Sequence, residues 1–546
     1  MRGPDGARAR SAAPVPDAVV IGSGPNGLVA ANLLADRGWE VVVLETAPEP
    51  GGAVRSAELI EPGFINDECS AFYPLAVASP HIRSLGLEDW GVRWRRAEYA
   101  VAHPAGDGSC PAISDDLERT VASLEELAPG DGEAWRELYG LWQQVGAEAL
   151  NAVFAQFPPV RPALALLRRL GPSAALRLVR FALLPVRQMG EDRFRHEGGT
   201  RLLAGNAMHS DLGPETPPSG AYGWVLCSLA QQHGFPVPEG GAGMLTRALV
   251  RRLEARGGSV RCGAAAERVE CREGRAVAVL TRDERLPATR AVIADVSAPA
   301  LYGGLLAREE LPQRLLDDLE GFHFDNATFK VDWSLDGPIP WLAPRARLAG
   351  TVHVANGMRA LTRYASELAC RLIPSEPFLV LGQYSPVDPT RAPAGKETAW
   401  AYTHVPQRIE GDAGGELTGR WEQGEREAFA DRVEEQIERL APGFRALVRG
   451  RHVLTPPEIQ AINPSLVNGA LNGGTAQLHQ QLIFRPVLSL GRPETPVRGL
   501  FLGSASAHPG GGVHGGPGAN AARAAVEWSG RLGPRPFGRL SRAIQR

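Results

Sequence analysis

The first clear hydrophobic pattern in the chain is a short apolar run that leads into a glycine-rich turn and a helix-like segment. Residues 17–21 are mostly β-branched and apolar, which predicts a buried strand. Residues 28–37 carry apolar positions on one helical face, and Gly38 follows where a helix end favours a left-handed residue. Residues 39–44 predict a second strand that ends at Glu45. The pattern therefore predicts a βαβ unit of about 30 residues.

Further apolar runs occur in the middle and near the end of the chain. Residues 258–262, 267–271 and 275–280 alternate around a Glu273-Gly274 turn, which predicts a β-meander. Residues 290–294 predict a strand that returns to the parallel sheet. Near the end, a strand over 499–503 precedes a glycine-rich loop and a helix over 521–528. The sheet is thus predicted to be assembled from separated pieces of sequence.

The turn of the first unit has the spacing of a dinucleotide-binding motif, Gly22-Ser23-Gly24-Pro25-Asn26-Gly27. Its first glycine permits the tight turn, the second lets the backbone approach a pyrophosphate, and the third lets the helix pack on the strand. Glu45 is placed to accept hydrogen bonds from a ribose diol. The alternative is a tight turn that merely shares the spacing. Strand, spacing, helix and acid all agree, which favours a dinucleotide site.

A pair of glycines follows six residues after Glu45, in the segment Gly51-Gly52-Ala53-Val54-Arg55. A nicotinamide enzyme has no need of it. The arrangement resembles the two-dinucleotide-binding flavoproteins, in which an acid followed by such a pair places backbone against the FAD pyrophosphate and ribityl chain. An ordinary Gly-Gly loop is the alternative.

The C-terminal glycine loop extends the resemblance. Residues 234–249 and 508–518, together with the N-terminal motif, resemble the phytoene desaturase and carotenoid ketolase group of FAD enzymes. Within that group the chain resembles the branch called pyridine nucleotide-disulfide oxidoreductase domain-containing protein 2, from about residue 17 to about residue 528. The resemblance implies FAD as cofactor, with further contacts from the C-terminal loop and the meander: Val269, Gly503, Ser504, Gly515, Gly518 and Asn520. Related families often have an acid where this chain has Ser504.

The resemblance implies an α/β fold with a Rossmann-like, two-dinucleotide-binding FAD domain that is discontinuous in sequence, and a mixed α+β substrate domain. The predicted FAD domain comprises residues 17–100, 234–320 and 495–530. The predicted substrate domain comprises residues 101–233 and 321–494. Residues 1–16 predict a disordered tail.

Composition narrows the function classes. Apolar residues make up 44% of the chain and charged residues 22%, which is typical of a folded globular protein. The net charge of -3 gives no general attraction for nucleic acid, so no such partner is expected. The six cysteines form no C-x-x-C pair or metal-spaced cluster, so neither a redox dithiol nor a metal site is predicted. The absence of a long apolar run predicts a cytoplasmic chain, or one that rests on a membrane face.

Candidate catalytic residues are few, because hydride transfer to a flavin needs position more than an acid or base. His508 and His514 flank the predicted flavin loop and could carry protons, although loop histidines often support backbone instead. Lys330 could hold water near the flavin, as in some flavin oxidases. The alternative is a strand residue that points to solvent or pairs near Asp332.

The stretch 155–190 is rich in arginine and lacks acids, which suits either a peripheral membrane surface or two ordinary helices whose arginine stems cover core. The resemblance implies dehydrogenation of an apolar small molecule, either isoprenoid-like or polyketide-like, by hydride transfer to the flavin. The alternatives are C–N oxidation, as in flavin amine oxidases, and a flavin-binding regulatory protein with little turnover. The electron acceptor and the oligomeric state stay open.

Overall fold

The fold was analysed in a computed structural model, which describes residues 15–530, 533 and 536–545. Most of the predicted N-terminal tail lies outside these residues. The strands, in chain order, are β1 Ala18–Ile21, β2 Val41–Leu44, β3 Ser56–Ala57, β4 Asn66–Asp67, β5 Trp94–Arg95, β6 Tyr99–Ala102, β7 Ala112–Ile113, β8 Val237–Pro238, β9 Ser259–Arg261, β10 Ala266–Arg272, β11 Arg275–Thr281, β12 Arg285–Pro287, β13 Ala291–Ala294, β14 Ala327–Leu335, β15 Ala349–Val354, β16 Leu372–Ile373, β17 Leu379–Gln383, β18 Glu397–Val405, β19 Gly411–Asp412, β20 Val448–Leu454 and β21 Leu500–Leu502.

Helices connect and cover these strands. They are α1 Pro25–Ala35, α2 Pro74–Ala78, α3 Pro80–Arg83, α4 Leu117–Glu125, α5 Asp131–Phe154, α6 Val160–Ala182, α7 Val186–Glu191, α8 Glu197–Ala207, α9 Ser219–His233, α10 Gly243–Ala255, α11 Ala298–Ala300, α12 Gln313–Glu320, α13 Pro344–Arg347, α14 Gly357–Ala369, α15 Gln423–Leu440, α16 Phe444–Leu447, α17 Pro456–Ile462, α18 Gly516–Ser529 and α19 Pro536–Ile544.

A parallel sheet of order β21-β13-β1-β2-β9 forms the predicted dinucleotide-binding unit. In register, Ala18 of β1 pairs with Val41 on one side and with Ala291 on the other. The strand β1 is buried along its whole length, as expected when both faces of a parallel sheet are covered. Helices α1, α10 and α18 pack on one face, and the meander β10-β11-β12 packs on the other. The α/β fold class is therefore confirmed.

The structure contains a second, seven-stranded mixed sheet, whose strand order is β20-β14-β18-β17-β15-β6-β7. Its strand β14 is buried throughout and pairs antiparallel with β18 and β20. The strand β6 comes from the N-terminal third and pairs parallel with β15. The strands β6 and β7 therefore belong to this sheet by pairing.

The arginine-rich stretch forms α6, whose two halves meet at a kink at Gly171. Its inner face packs on the core through Leu166, Leu170, Leu178 and Phe181. Within the described part of the chain, no helix has the length and apolar character needed to cross a membrane.

Candidate functional site: a dinucleotide site at the carboxyl ends of the parallel strands

The first glycine loop joins β1 to α1 in the predicted way. Gly22 has a φ of 95°, a left-handed conformation that glycine adopts without strain. A Cβ on Gly27 would lie 2.2 Å from the carbonyl oxygen of Gly22, so only glycine lets α1 approach the strand this closely. Pro25 occupies the first turn of α1, and Gly24 precedes it as N-cap. The helix thus begins directly at the loop, with its N-terminus at this edge of the sheet.

Glu45 lies at the end of β2 and is tied to this loop. One carboxylate oxygen accepts hydrogen bonds from the Ser23 amide at 2.9 Å and from the Ser23 hydroxyl at 2.6 Å. The other accepts from the amide of Ala47 at 2.9 Å. Ser23 Oγ in turn accepts from the amide of Gly51 at 3.1 Å. The acid, the first glycine loop and the second glycine pair therefore form one hydrogen-bonded unit.

The second glycine pair touches the first loop directly. A Cβ on Gly52 would lie 3.1 Å from the Cα of Gly24, and Gly51 has a φ of 126°. Arg55 forms an ion pair with Glu68 at 2.8 Å, so its guanidinium is held beside β4. Backbone of the two loops is therefore exposed to a common ligand at this edge of the sheet, as an extended pyrophosphate requires.

Asp295 lies at the same edge of the parallel sheet, but no sequence pattern predicts that it belongs to the site. It follows β13, and its Oδ2 accepts a hydrogen bond from the Gly27 amide at 2.7 Å. A Cβ on Gly24 would lie 2.7 Å from the same oxygen. Burial raises the pKa of Asp295 to about 7, against hydrogen bonds from Gly27 and Asn26 that lower it. A short strand followed by an acid occurs in many folds, so only the pairing of β13 with β1 reveals the position.

The C-terminal glycine loop, which follows β21, also borders the site. The amide of Gly503 donates to the carbonyl of Ala294 at 2.8 Å, which fixes the loop to the end of β13. Ser504 is buried and its hydroxyl accepts from the amide of Ser506. A Cβ on Gly515 would lie 2.7 Å from Val29 of α1, and one on Gly518 would lie 1.9 Å from the Asn26 carbonyl oxygen. These two glycines let α18 pack against the start of α1.

Buried polar atoms without a protein partner are found where these segments meet. The side-chain amide of Asn520, 1% exposed, has neither its oxygen nor its nitrogen hydrogen-bonded, and the Asn26 side-chain oxygen is also unpaired. An unsatisfied buried polar group costs free energy, so a ligand that pairs with these amides gains by binding. Together with the glycine cradle, these atoms fit a dinucleotide such as FAD, whose isoalloxazine ring supplies the redox chemistry when bound.

Three of the remaining predicted residues, Val269, His508 and His514, are buried. Val269 lies in β10, 1% exposed, where it pairs with Val279 in the meander. His514 accepts a hydrogen bond from the Gly516 amide and lies 3.1 Å from the Gly511 carbonyl, so it braces the loop. His508 packs against Phe157. Burial lowers the pKa of both histidines to about 4, so both are neutral at neutral pH.

Lys330 is buried in β14 and forms an ion pair with Asp332. Its ammonium also donates to the carbonyl of Asp67 at 3.0 Å. The chain around Asp67 runs beside the second glycine pair, because the amides of Glu68 and Ser70 donate to carbonyls at 55 and 53. The structure therefore brings this lysine next to a predicted flavin-contacting loop, although it lies more than 260 residues away in sequence.

Arg485 is a second residue that the sequence analysis missed. It is 1% exposed, and its donors go to the carbonyls of Asn472, Gly474, Thr475 and Ala505. Its guanidinium carbon would lie 3.3 Å from a Cβ on Gly510. The side chain therefore clamps the 472–475 loop onto the C-terminal glycine loop. An arginine without a nearby motif offers no sequence signal for this role.

Comparison with known proteins agrees with this geometry. Residues 20–85 match the family model of the NAD(P)-binding Rossmann-like domain. Over 93% of its length the chain is 28% identical to pyridine nucleotide-disulfide oxidoreductase domain-containing protein 2 of Mus musculus, covering 92% of that protein. It is 26% identical to all-trans-zeta-carotene desaturase of Myxococcus xanthus, over 91% of this chain and 90% of the other.

Among solved structures, cyclohexylamine oxidase from Brevibacterium oxydans superposes with a TM-score of 0.55 at 15% identity, over 94% of this chain and 99% of that one. This likeness shows a shared fold. The comparisons confirm the predicted resemblance to the phytoene desaturase group and its named branch. They also confirm an FAD-dependent oxidoreductase, with FAD as its cofactor.

Proposed function

We propose that the protein desaturates an apolar, isoprenoid-like small molecule by hydride transfer to FAD bound at the glycine loops. The observation that carries this proposal is an aromatic wall next to those loops. The ring of Phe72 lies 6.1 Å from Tyr384 and 6.0 Å from Trp400, and Trp400 stacks on Tyr402 at 6.1 Å. Leu75 adjoins this wall and would lie 2.8 Å from a Cβ on Gly512 of the C-terminal loop.

The polar atoms of Trp400 and Tyr384 in this wall are already paired within the protein. Trp400 Nε1 donates to the Tyr384 hydroxyl at 3.0 Å, which donates to Asp67. Tyr384 and Trp400 are buried behind the half-buried rings of Phe72 and Tyr402, so the accessible part of the wall is mainly apolar. Such a surface suits a substrate that is positioned rather than activated by acid or base. The relatives named as desaturases support the same substrate class.

A cationic amine fits this wall less well. The guanidinium of Arg391 lies 4.3 Å from the centre of the Tyr384 ring, where Asp67 and Asp388 hold it as an ion pair. A second cation would find this ring face already occupied. We therefore favour C–H oxidation over C–N oxidation as the reaction of this protein.

The test starts with the purified full chain, from which FAD should be released on denaturation. In anaerobic mixing, a long-chain isoprenoid hydrocarbon is expected to bleach the oxidised-flavin band and to lose two hydrogen atoms, while cyclohexylamine and putrescine leave the band unchanged. Bleaching by the amines alone would favour C–N oxidation. Bound FAD that no substrate or artificial reductant can reduce would favour a regulatory flavoprotein. Lys330, His508 and His514 stay candidate catalytic residues for that assay.

We further propose that the α6 surface docks on an anionic membrane. The first half of the helix exposes Val160, Leu164 and Leu167 at helical spacing, and the second half exposes Leu176, Val179 and Leu183. Exposed arginines flank both stripes, at positions 161, 168, 169, 177 and 180. Apolar stripes bordered by arginine are typical of a helix that lies in a membrane interface.

We expect the protein to co-sediment with vesicles of equal phosphatidylglycerol and phosphatidylcholine, and to be released by high salt. Combined Arg161→Glu, Arg168→Glu and Arg177→Glu substitutions should weaken binding, since each arginine contributes roughly 1 kcal/mol near an anionic surface. An Arg272→Glu variant, altered on the exposed meander, is the matched control. Equal sedimentation of the triple variant and wild type would contradict the proposal.

A further inference from the structure

Asp295 places a carboxyl at the point where the three loops of the cofactor site converge. Its Oδ2 accepts the Gly27 amide at 2.7 Å and would lie 2.7 Å from a Cβ on Gly24 and 3.0 Å from one on Gly27. Its backbone amide donates to Ile21 at the end of β1 at 2.7 Å. The side chain thus lies in the motif whose backbone N–H groups receive a pyrophosphate.

An ionised carboxylate in this position opposes an anionic ligand in two ways. It occupies the Gly27 N–H, one of the helix N-terminal donors that a phosphate oxygen would otherwise receive. It also adds a negative charge at the site, where Glu45 from the end of β2 is a charged neighbour of the same sign. From α1 it is faced by the neutral side chain of Asn26. A protonated carboxyl removes the repulsion and can donate a hydrogen bond.

We infer that Asp295 is a titratable determinant of FAD affinity, which lets the cofactor bind tightly when the carboxyl is protonated and loosens it when the carboxyl is ionised. This inference rests on the proposed FAD site. It assigns a positioning role to a residue outside the glycine motifs and makes cofactor retention depend on pH near neutrality.

The sign follows from linkage. Burial raises the pKa of this carboxyl to about 7 without the cofactor, and an adjacent pyrophosphate would raise it further, so FAD binding takes up a proton. The FAD dissociation constant is therefore lowest below pH 7 and increases as the pH rises through that pKa. For a single group whose pKa is about 7 in the free protein and well above 8 in the FAD complex, the increase between pH 6 and pH 8 is about tenfold.

The experiment measures the FAD dissociation constant of the full-length protein from the fluorescence of released flavin on dilution, at pH 6 and pH 8. Wild type is expected to show the tenfold increase. Asp295→Asn keeps the shape of the side chain without the charge, so its dissociation constant should change less than twofold and should lie below that of wild type at pH 8. Asp283→Asn, in an exposed turn of the meander, is the control and should behave as wild type.

The outcomes separate the inference from the proposed function. If Asp295→Asn keeps the wild-type pH dependence and only lowers the thermal midpoint, the residue is a structural cap of α1 and the inference is wrong. A wild type whose FAD affinity is flat from pH 6 to pH 8 also overturns it. A wild type that binds no FAD at either pH overturns the proposed function itself, and this inference with it.

Discussion

The Gly518→Ala variant is expected to lose bound FAD and to unfold at a much lower temperature than wild type. A Cβ on Gly518 would lie 1.9 Å from the Asn26 carbonyl oxygen and 2.6 Å from its carbon, both of them backbone atoms that cannot rotate away. Helices α1 and α18 would have to separate at the start of α1. Overpacking costs about 1–3 kcal/mol, and a clash between two backbones lies at the upper end or above it. The flavin-to-protein absorbance ratio and the melting temperature measure both effects.

A matched glycine gives the control for this variant. Gly140 lies inside α5, and a Cβ there would meet no atom within 4 Å. Gly140→Ala should keep its flavin and gain roughly 0.5–1 kcal/mol, because alanine is the better helix former. If Gly518→Ala retained wild-type flavin content and melting temperature, the close contact of α1 and α18 would be refuted.

The local part of the cofactor site could be predicted because its signals lie close together in sequence. The strand β1, the glycine turn, α1 and β2 follow one another within residues 18–44, as predicted, with α1 beginning at Pro25. The hairpin of β10 and β11 and the strand before Asp295 were also predicted, since alternation marks them independently of their partners. The prediction that residues 258–262 belong to the meander was wrong, because they form β9 and pair with β2 at the edge of the parallel sheet. Glu45 ends β2 and contacts the turn, because both ends of a βαβ unit meet at one sheet edge.

The parts that were missed depend on contacts across long stretches of sequence. Asp295 and Gly27 are 268 residues apart. Arg485 is only 20 residues from Ala505, but it contacts backbone carbonyls of two separate loops and lies in no recognisable motif. No periodicity marks such pairs, since each partner alone is an ordinary polar residue after a strand or in a loop. The seven-stranded sheet was expected only as a mixed domain, because β6 joins β15 from 250 residues away.

A long separation in sequence also hides the hydrogen-bond network that joins β4 to the seven-stranded sheet. Asp67 in β4 is fully buried and accepts hydrogen bonds from Arg391 at 3.0 and 3.2 Å. It also accepts from the Tyr384 hydroxyl at 2.5 Å and from the Ala242 amide at 2.8 Å. Arg391 has a second acid, Asp388, at 3.0 Å. One carboxylate therefore ties together β4, the segment before α10 and the substrate-side sheet.

Replacing Asp67 with asparagine is expected to lower the free energy of unfolding by about 3 kcal/mol, because breaking a buried pair leaves a desolvated charge without its partner. This loss is at the low end of the range for breaking a buried ion pair, because Arg391 keeps its ion pair with Asp388. Chemical denaturation measures the loss. Glu270→Gln, which removes an exposed pair with Arg272, should change stability little. Equal stability losses in the two variants would show that the buried pair of Asp67 and Arg391 contributes no more than an exposed pair, and would refute its role in joining β4 to the seven-stranded sheet.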